Sequence, residues 1–252
     1  MVNRDELVAF CDIFLDSGAY QDYAPNGLQV AGSETITTLV SGVTACEALI
    51  EAAIELNADA LLVHHGWFWR GEDPRIVGMK QRRLKRLLCA GVNLIAYHLP
   101  LDGHATLGNN VLLGERLGVA QHGRFGSGPA GGIACYGVVE PALSAEAFAR
   151  HIEQVLGRSP LLLQGGSHPI YRVGWCSGAA QETLEQAASL GLDAFISGEA
   201  SERTFHTARE LGIHYFAAGH HATERYGVSA LGEHLALKYG LTHHFIDIDN
   251  PV

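Results

Sequence analysis

Paired cysteines are missing from this chain of 252 residues. Its five cysteines, Cys11, Cys46, Cys89, Cys135 and Cys176, are odd in number, lie no closer than 35 residues apart and form no CxxC pair. That argues against a disulfide framework or a cysteine zinc site and leaves buried, reduced thiols. Charge is also scarce. Asp, Glu, Lys and Arg make up 17% of the chain, against roughly 25% in an average soluble protein. The balance is negative, −10 with His neutral, and a bulk negative field disfavours general nucleic-acid binding. No stretch approaches the roughly 18 apolar residues of a membrane span. The opening residues, Met1-Val2-Asn3-Arg4-Asp5-Glu6, carry charge at once, unlike the apolar region of an export signal. The expectation is a cytoplasmic protein with no membrane partner.

Other features are abundant. Hydrophobic residues reach 47%, with 30 glycines, a composition that excludes a disordered chain and suits many tight strand–helix turns. There are 14 histidines, including the adjacent pairs His64-His65, His220-His221 and His243-His244.

The chain repeats itself. Leu56-Asn57-Ala58-Asp59-Ala60-Leu61 resembles Leu190-Gly191-Leu192-Asp193-Ala194-Phe195 at an offset of 134, and Leu28-Gln29-Val30 falls opposite Leu162-Leu163-Gln164. Physical patterning agrees. An apolar run from Leu39 to Val43 leads into Thr44-Ala45-Cys46-Glu47, which reads as a capping box. Leu49, Ala52, Ala53 and Leu56 then follow at helical spacing. In the second half, Val173 to Cys176 is the strand and Leu184, Ala187 and Ala188 the stripe. Helices are expected over Asp5–Leu15 and Ala145–Leu156, and further strands over Ile133–Val139 and His244–Ile248. Strands alternating with helices imply α/β units with a largely parallel sheet. The fold class is therefore α/β, two pseudo-symmetric halves from an internal duplication with a site between them. The expected division is 1–140 and 141–252, the C-terminal strand being free to pack on the first half.

In parallel α/β sheets, ligands bind beyond the C-terminal strand ends. Three polar clusters fall there: His64-His65-Gly66 after Leu61-Leu62-Val63, His98 to Asp102 after Leu94 to Tyr97, and His220-His221-Ala222-Thr223-Glu224 after Tyr215 to Gly219. Imidazole and carboxylate suit borderline divalent ions such as Zn, Mn, Fe or Ni. His64 and His65 should point to opposite faces of a strand, so they would flank a site rather than chelate one ion. His220 and Glu224 share a face if a helix begins there, and His221 lies about 100° away. Asp102 offers a second carboxylate.

These segments resemble a known family. Leu62-Val63-His64-His65-Gly66, Tyr97-His98-Leu99-Pro100-Leu101-Asp102 and Ala218-Gly219-His220-His221-Ala222-Thr223-Glu224-Arg225 are similar to the signatures of the GTP cyclohydrolase I type 2-like family. It is also known as the Ngg-interacting-factor-like family of dinuclear metal proteins. Asp22 to Val30 resembles its N-terminal motif and Phe245 to Pro251 its C-terminal one. The resemblance spans essentially the whole chain and fits the short bacterial members. It implies two divalent ions per chain, held by His64, His65, Asp102, His220 and Glu224, with Glu224 as the bridge. It also implies a toroidal homohexamer, a trimer of dimers.

Two divalent ions can acidify a shared water and stabilise attacking and leaving oxygens. A hydrolase acting on a nucleotide-like or other anionic small molecule is the functional expectation. The alternative is a non-catalytic assembly that stores, inserts or senses metal, or serves as a scaffold. His98 and Glu199, at equivalent strand ends, are candidates for proton transfer or for supporting the ligands. Trp67-Phe68-Trp69 could stack a nucleobase or pack a core. Seven of the 17 basic residues lie between Arg70 and Arg86, opposed only by Glu72 and Asp73. They form either a solvated helix face or an anion-attracting rim.

Overall fold

The computed structural model describes residues 1–252. The chain forms two compact units, Met1–Leu101 with Gly227–Asp249, and Asp102–Tyr226 with Asn250–Val252. Each is an α/β unit built on its own mixed sheet. The division expected at 140 differs from this, and strand pairing explains why. Ala120–Phe125 and Ala134–Leu143 lie antiparallel to each other, and Ala134–Leu143 also pairs with Ile170–Trp175, which draws them into the second unit. The C-terminal strand Thr242–Phe245 runs parallel to Thr38–Thr44 in the first unit. Val228, Leu231, Leu235 and Leu241 join the same core as Leu7, Leu39 and Leu62.

The first unit's sheet has the strand order Thr242–Phe245, Thr38–Thr44, Ala60–His65, Asn93–Ala96, Gly27–Val30. All neighbours are parallel except the last pair. The second has the order Ala120–Phe125, Ala134–Leu143, Ile170–Trp175, Ala194–Ser197, His214–Ala217, Leu161–Leu163. Only its three central strands are parallel.

The two sheets share a motif. Three parallel strands in sequential order end in an antiparallel edge strand, Leu28 opposite Ile95 in one and Leu162 opposite Phe216 in the other. Those edge strands are the segments that the 134-residue offset aligns. Helices Arg4–Phe14 and Ala145–Leu156 precede them. Buried Leu, Ile and Val on the central strands explain the near-continuous apolar runs, since parallel strands are covered on both faces. Leu39, Leu62 and Ile95 face one core, and Val40, Leu61 and Leu94 the other. No helix is long and apolar enough to cross a membrane.

The capping box expected at Thr44 is not made. Thr44 is still in its strand, and the helix Glu47–Glu55 starts after Cys46 without a side-chain cap. The basic segment becomes the helix Gly78–Ala90 and the loop before it. Its charges are partly neutralised locally. Arg86 reaches Glu47 at 3.2 Å and Glu51 at 2.9 Å, Lys80 reaches Glu72, and Arg75 pairs with Asp73. These pairs match a solvated helix face better than an open cationic rim.

Candidate metal centre

In the first unit, Val63 and Ala96 are partners in neighbouring parallel strands. The residues that follow each therefore emerge at the same sheet end. His64, His65 and His98 converge there, with ligand-capable nitrogens within 4.8 Å of one another. The rings of His64 and His65 are 4.6 Å apart. Although they are consecutive in one strand, their ligand-capable nitrogens reach the same place. His64 is fully buried. Its Nδ1–H donates to the Tyr97 carbonyl at 3.0 Å, which leaves Nε2 as the ligating nitrogen. Thr44 Oγ1 lies 3.2 Å from His65 Nδ1, so this threonine serves a histidine and not a helix start.

His98 is held from behind by Asp22. Its Nδ1–H donates to Asp22 Oδ1 at 2.8 Å, and its backbone N–H donates to Asn26 Oδ1 at 2.8 Å. Asp22 also accepts from the backbone of Tyr23 and Leu99 and from the Asn26 amide. Burial opposes ionisation of Asp22, but the His98 contact and these donors outweigh it and hold the carboxyl well below its usual range.

In the second unit, Asp102 and Glu224 are 5% and 3% exposed, and their carboxylate oxygens lie within 4.8 Å of each other. Ser177 Oγ–H and the Asn109 amide donate to Asp102 Oδ1 at 3.0 and 2.9 Å. Asn110 orders this corner by accepting from the Ser177 N–H and the Trp175 indole. The helix His220–Tyr239 begins at His220, which puts Glu224 one turn on. His220 Nε2 is 3.0 Å from Glu224 Oε2, and Nδ1 is 2.7 Å from Glu199 Oε1. Burial lowers the affinity of His220 for its proton, but the two carboxylates prevail and push its pKa up to about 9.

Glycine makes room for this arrangement. Gly178 has φ +64°, and a Cβ there would come within 2.1 Å of Glu224 Oε1 and 3.1 Å of His220 Nε2. A Cβ on Gly198 would come within 2.6 Å of His220 Cα. His221 does not join the cluster; its backbone N–H donates to the Val252 carbonyl.

The first unit thus brings together His64, His65 and His98, and the second Asp102 with Glu224 and His220 with Glu224 and Glu199; Asp102, expected in the first half, falls in the second unit. The donor sets could bind a metal. Two buried carboxylates in close proximity are unfavourable without a cation, and imidazole beside carboxylate suits a borderline divalent ion. The sequence pattern gave no role to Asp22, Asn26, Ser177 or Asn109, and gave Thr44 a helix-capping role in place of its contact with His65. The signal for the first two was the Asp22–Val30 motif itself; nothing in the local sequence flagged the others.

The chain belongs to the Duf34/NIF3 (NGG1p interacting factor 3) family, whose model matches residues 2–251. It is 53% identical over 251 residues to a "GTP cyclohydrolase 1 type 2 homolog" of Allochromatium vinosum, covering 100% of this chain and 98% of the relative. It is 51% identical over 245 residues to the protein of the same name from Pseudomonas aeruginosa, covering 97% of each. Among solved structures it is similar to protein ybgI, described as of unknown function, with TM-score 0.96 and 47% identity across 100% of both chains. TTHA1606 from Thermus thermophilus follows the same fold, with TM-score 0.89 and 35% identity across 100% of both chains.

Proposed function

We propose that the protein holds a dinuclear metal centre and is a metal-dependent hydrolase of a nucleotide-like or other anionic small molecule. The observation that carries this reading is the buried Asp102–Glu224 pair, whose negative charge calls for cations. In this reading His64, His65, Asp102, His220 and Glu224 are the ligands, and Glu224 is shared between two divalent ions. When bound, such a pair supplies an acidified water and Lewis-acid stabilisation of the oxygens that attack and leave.

The chain's own residues do the rest. Tyr97 O, Thr44 and Glu199 fix the ring orientations of His64, His65 and His220. Ser177 and Asn109 hold Asp102. His98, with Nδ1–H committed to Asp22, presents Nε2 as a proton acceptor toward the site. Glu199, bound to His220, is a positioning residue.

The name these relatives carry, GTP cyclohydrolase 1 type 2 homolog, is consistent with a nucleotide-like substrate. Metal-dependent turnover across a panel of nucleotides and phosphoesters tests the reading. Turnover that chelation abolishes and added metal restores is expected. A fully metal-loaded protein inert across the panel would favour the metal-handling or scaffold alternative. We also infer a cytoplasmic homohexamer, a trimer of dimers. Exposed Ile13 and Leu237 are available to a second copy, and a monomer mass by light scattering would contradict it.

A further inference from the structure

The aromatic run after His65 divides in two. Trp67 is 7% exposed, belongs to the apolar core and donates its indole N–H to the Ala45 carbonyl at 3.0 Å. Trp69 belongs to no apolar cluster and is only partly covered. Its ring stands 5.0 Å from His98 at 84° and 6.1 Å from His65. Tyr23 lies 5.7 Å from His98 with 54% of its surface exposed.

The backbone is built to hold Trp69 there. A Cβ on Gly66 would come within 2.2 Å of the Gln29 amide oxygen, the atom that accepts from the Trp67 N–H. Phe68 follows with φ +66°, a left-handed conformation that a bulky aromatic adopts only when its surroundings enforce it. That reversal turns Trp69 back toward the imidazoles. Its indole N–H then donates to Gly66 O at 3.2 Å, and its backbone N–H to Glu72 at 3.1 Å. Arg70 ties the loop down by donating to the carbonyls of Tyr23 and Asp22.

We propose that Trp69 is the stacking surface for a flat nitrogen heterocycle of the substrate, the class to which nucleobases belong. The left-handed turn leaves Trp67 in the core and sets Trp69, half-exposed, beside His98 and His65. An aromatic face accepts a base with little regard to its sequence identity, by stacking. The inference rests on the hydrolase reading above and names the part of the substrate that reading leaves open.

The test uses the full-length, metal-loaded protein with two probes, guanosine triphosphate and inorganic tripolyphosphate, and binding is measured by calorimetry. The intact protein should bind the nucleotide about 10-fold more tightly than tripolyphosphate. Trp69→Ala should lose that advantage and leave tripolyphosphate binding and metal content unchanged. Trp69→Phe should restore most of it, which guards against a folding defect. Equal loss for both probes, or no loss, would overturn the stacking role while leaving the anionic-substrate reading in place. Failure of both probes to bind the intact metal-loaded protein would overturn both.

Discussion

Glu199 Oε1 holds Nδ1 of His220 at 2.7 Å while Glu224 Oε2 sits 3.0 Å from Nε2 of the same ring. One imidazole is therefore gripped by two carboxylates, of which only Glu224 is a proposed metal ligand. Glu199→Gln preserves the size of the side chain and removes its charge. Metal affinity should fall about 10-fold, the lower end for residues that orient ligands, with metal still bound at saturation. Competition against a chelator measures it. An unchanged affinity would remove Glu199 from the metal site.

The same grip sets a pH dependence in metal-free protein. The folded pKa of His220 is raised to about 9, above the roughly 6.5 of an unfolded histidine. Its contribution to stability is therefore complete below about pH 6.5 and lost as pH rises through 9. The Tm difference between wild type and Glu199→Gln should shrink from pH 6 to pH 10. Bound metal would take the place of the proton on Nε2, and that trend should vanish in the loaded protein. A Tm gap that widens with pH would contradict the assignment.

Gly178 tests the shape of the carboxylate corner. Gly178→Ala should cost about 1–2 kcal/mol for the left-handed backbone, and its Cβ would also press on Glu224 and His220. Gly240 has the same φ of +64°, with nothing within 4 Å of the place a Cβ would take. Gly240→Ala should thus show the backbone cost alone, with normal metal content by elemental analysis. Equal metal content in the two variants would mean that Gly178 is a turn residue and nothing more.

Thr44 separates a capping role from a ligand-supporting one. Thr44→Val should leave Tm nearly unchanged, whereas loss of a true N-cap costs typically about 1 kcal/mol. It should instead weaken metal binding at His65, which a chelator titration reads. A large Tm drop with unaltered metal affinity would restore the capping box.

Much of this was legible in the sequence for a physical reason. Parallel strands covered on both faces leave apolar runs such as Leu61-Leu62-Val63, and polar clusters at their ends stand out against them. The i, i+4 spacing of His220 and Glu224 survives folding because both lie in the first turns of one helix. What the local sequence could not give was long-range. Thr38–Thr44 takes its partner Thr242–Phe245 from the far end of the chain, so the compact units do not follow the repeat boundary. Asp22 meets His98 across 76 residues, and Ser177 meets Asp102 across 75; no periodicity encodes such contacts. His64 and His65 converge although they are neighbours in one strand, which alternation rules do not foresee.

Metal stoichiometry of Glu224→Ala, measured by elemental analysis after saturation and desalting, tests the dinuclear reading most directly. Wild type should hold two divalent ions per chain, and so should His221→Ala, whose residue stands outside the cluster. Glu224→Ala should hold none, because a shared carboxylate offsets the repulsion between neighbouring cations. Two ions retained in Glu224→Ala, or fewer than two in wild type, would contradict a centre bridged by this residue.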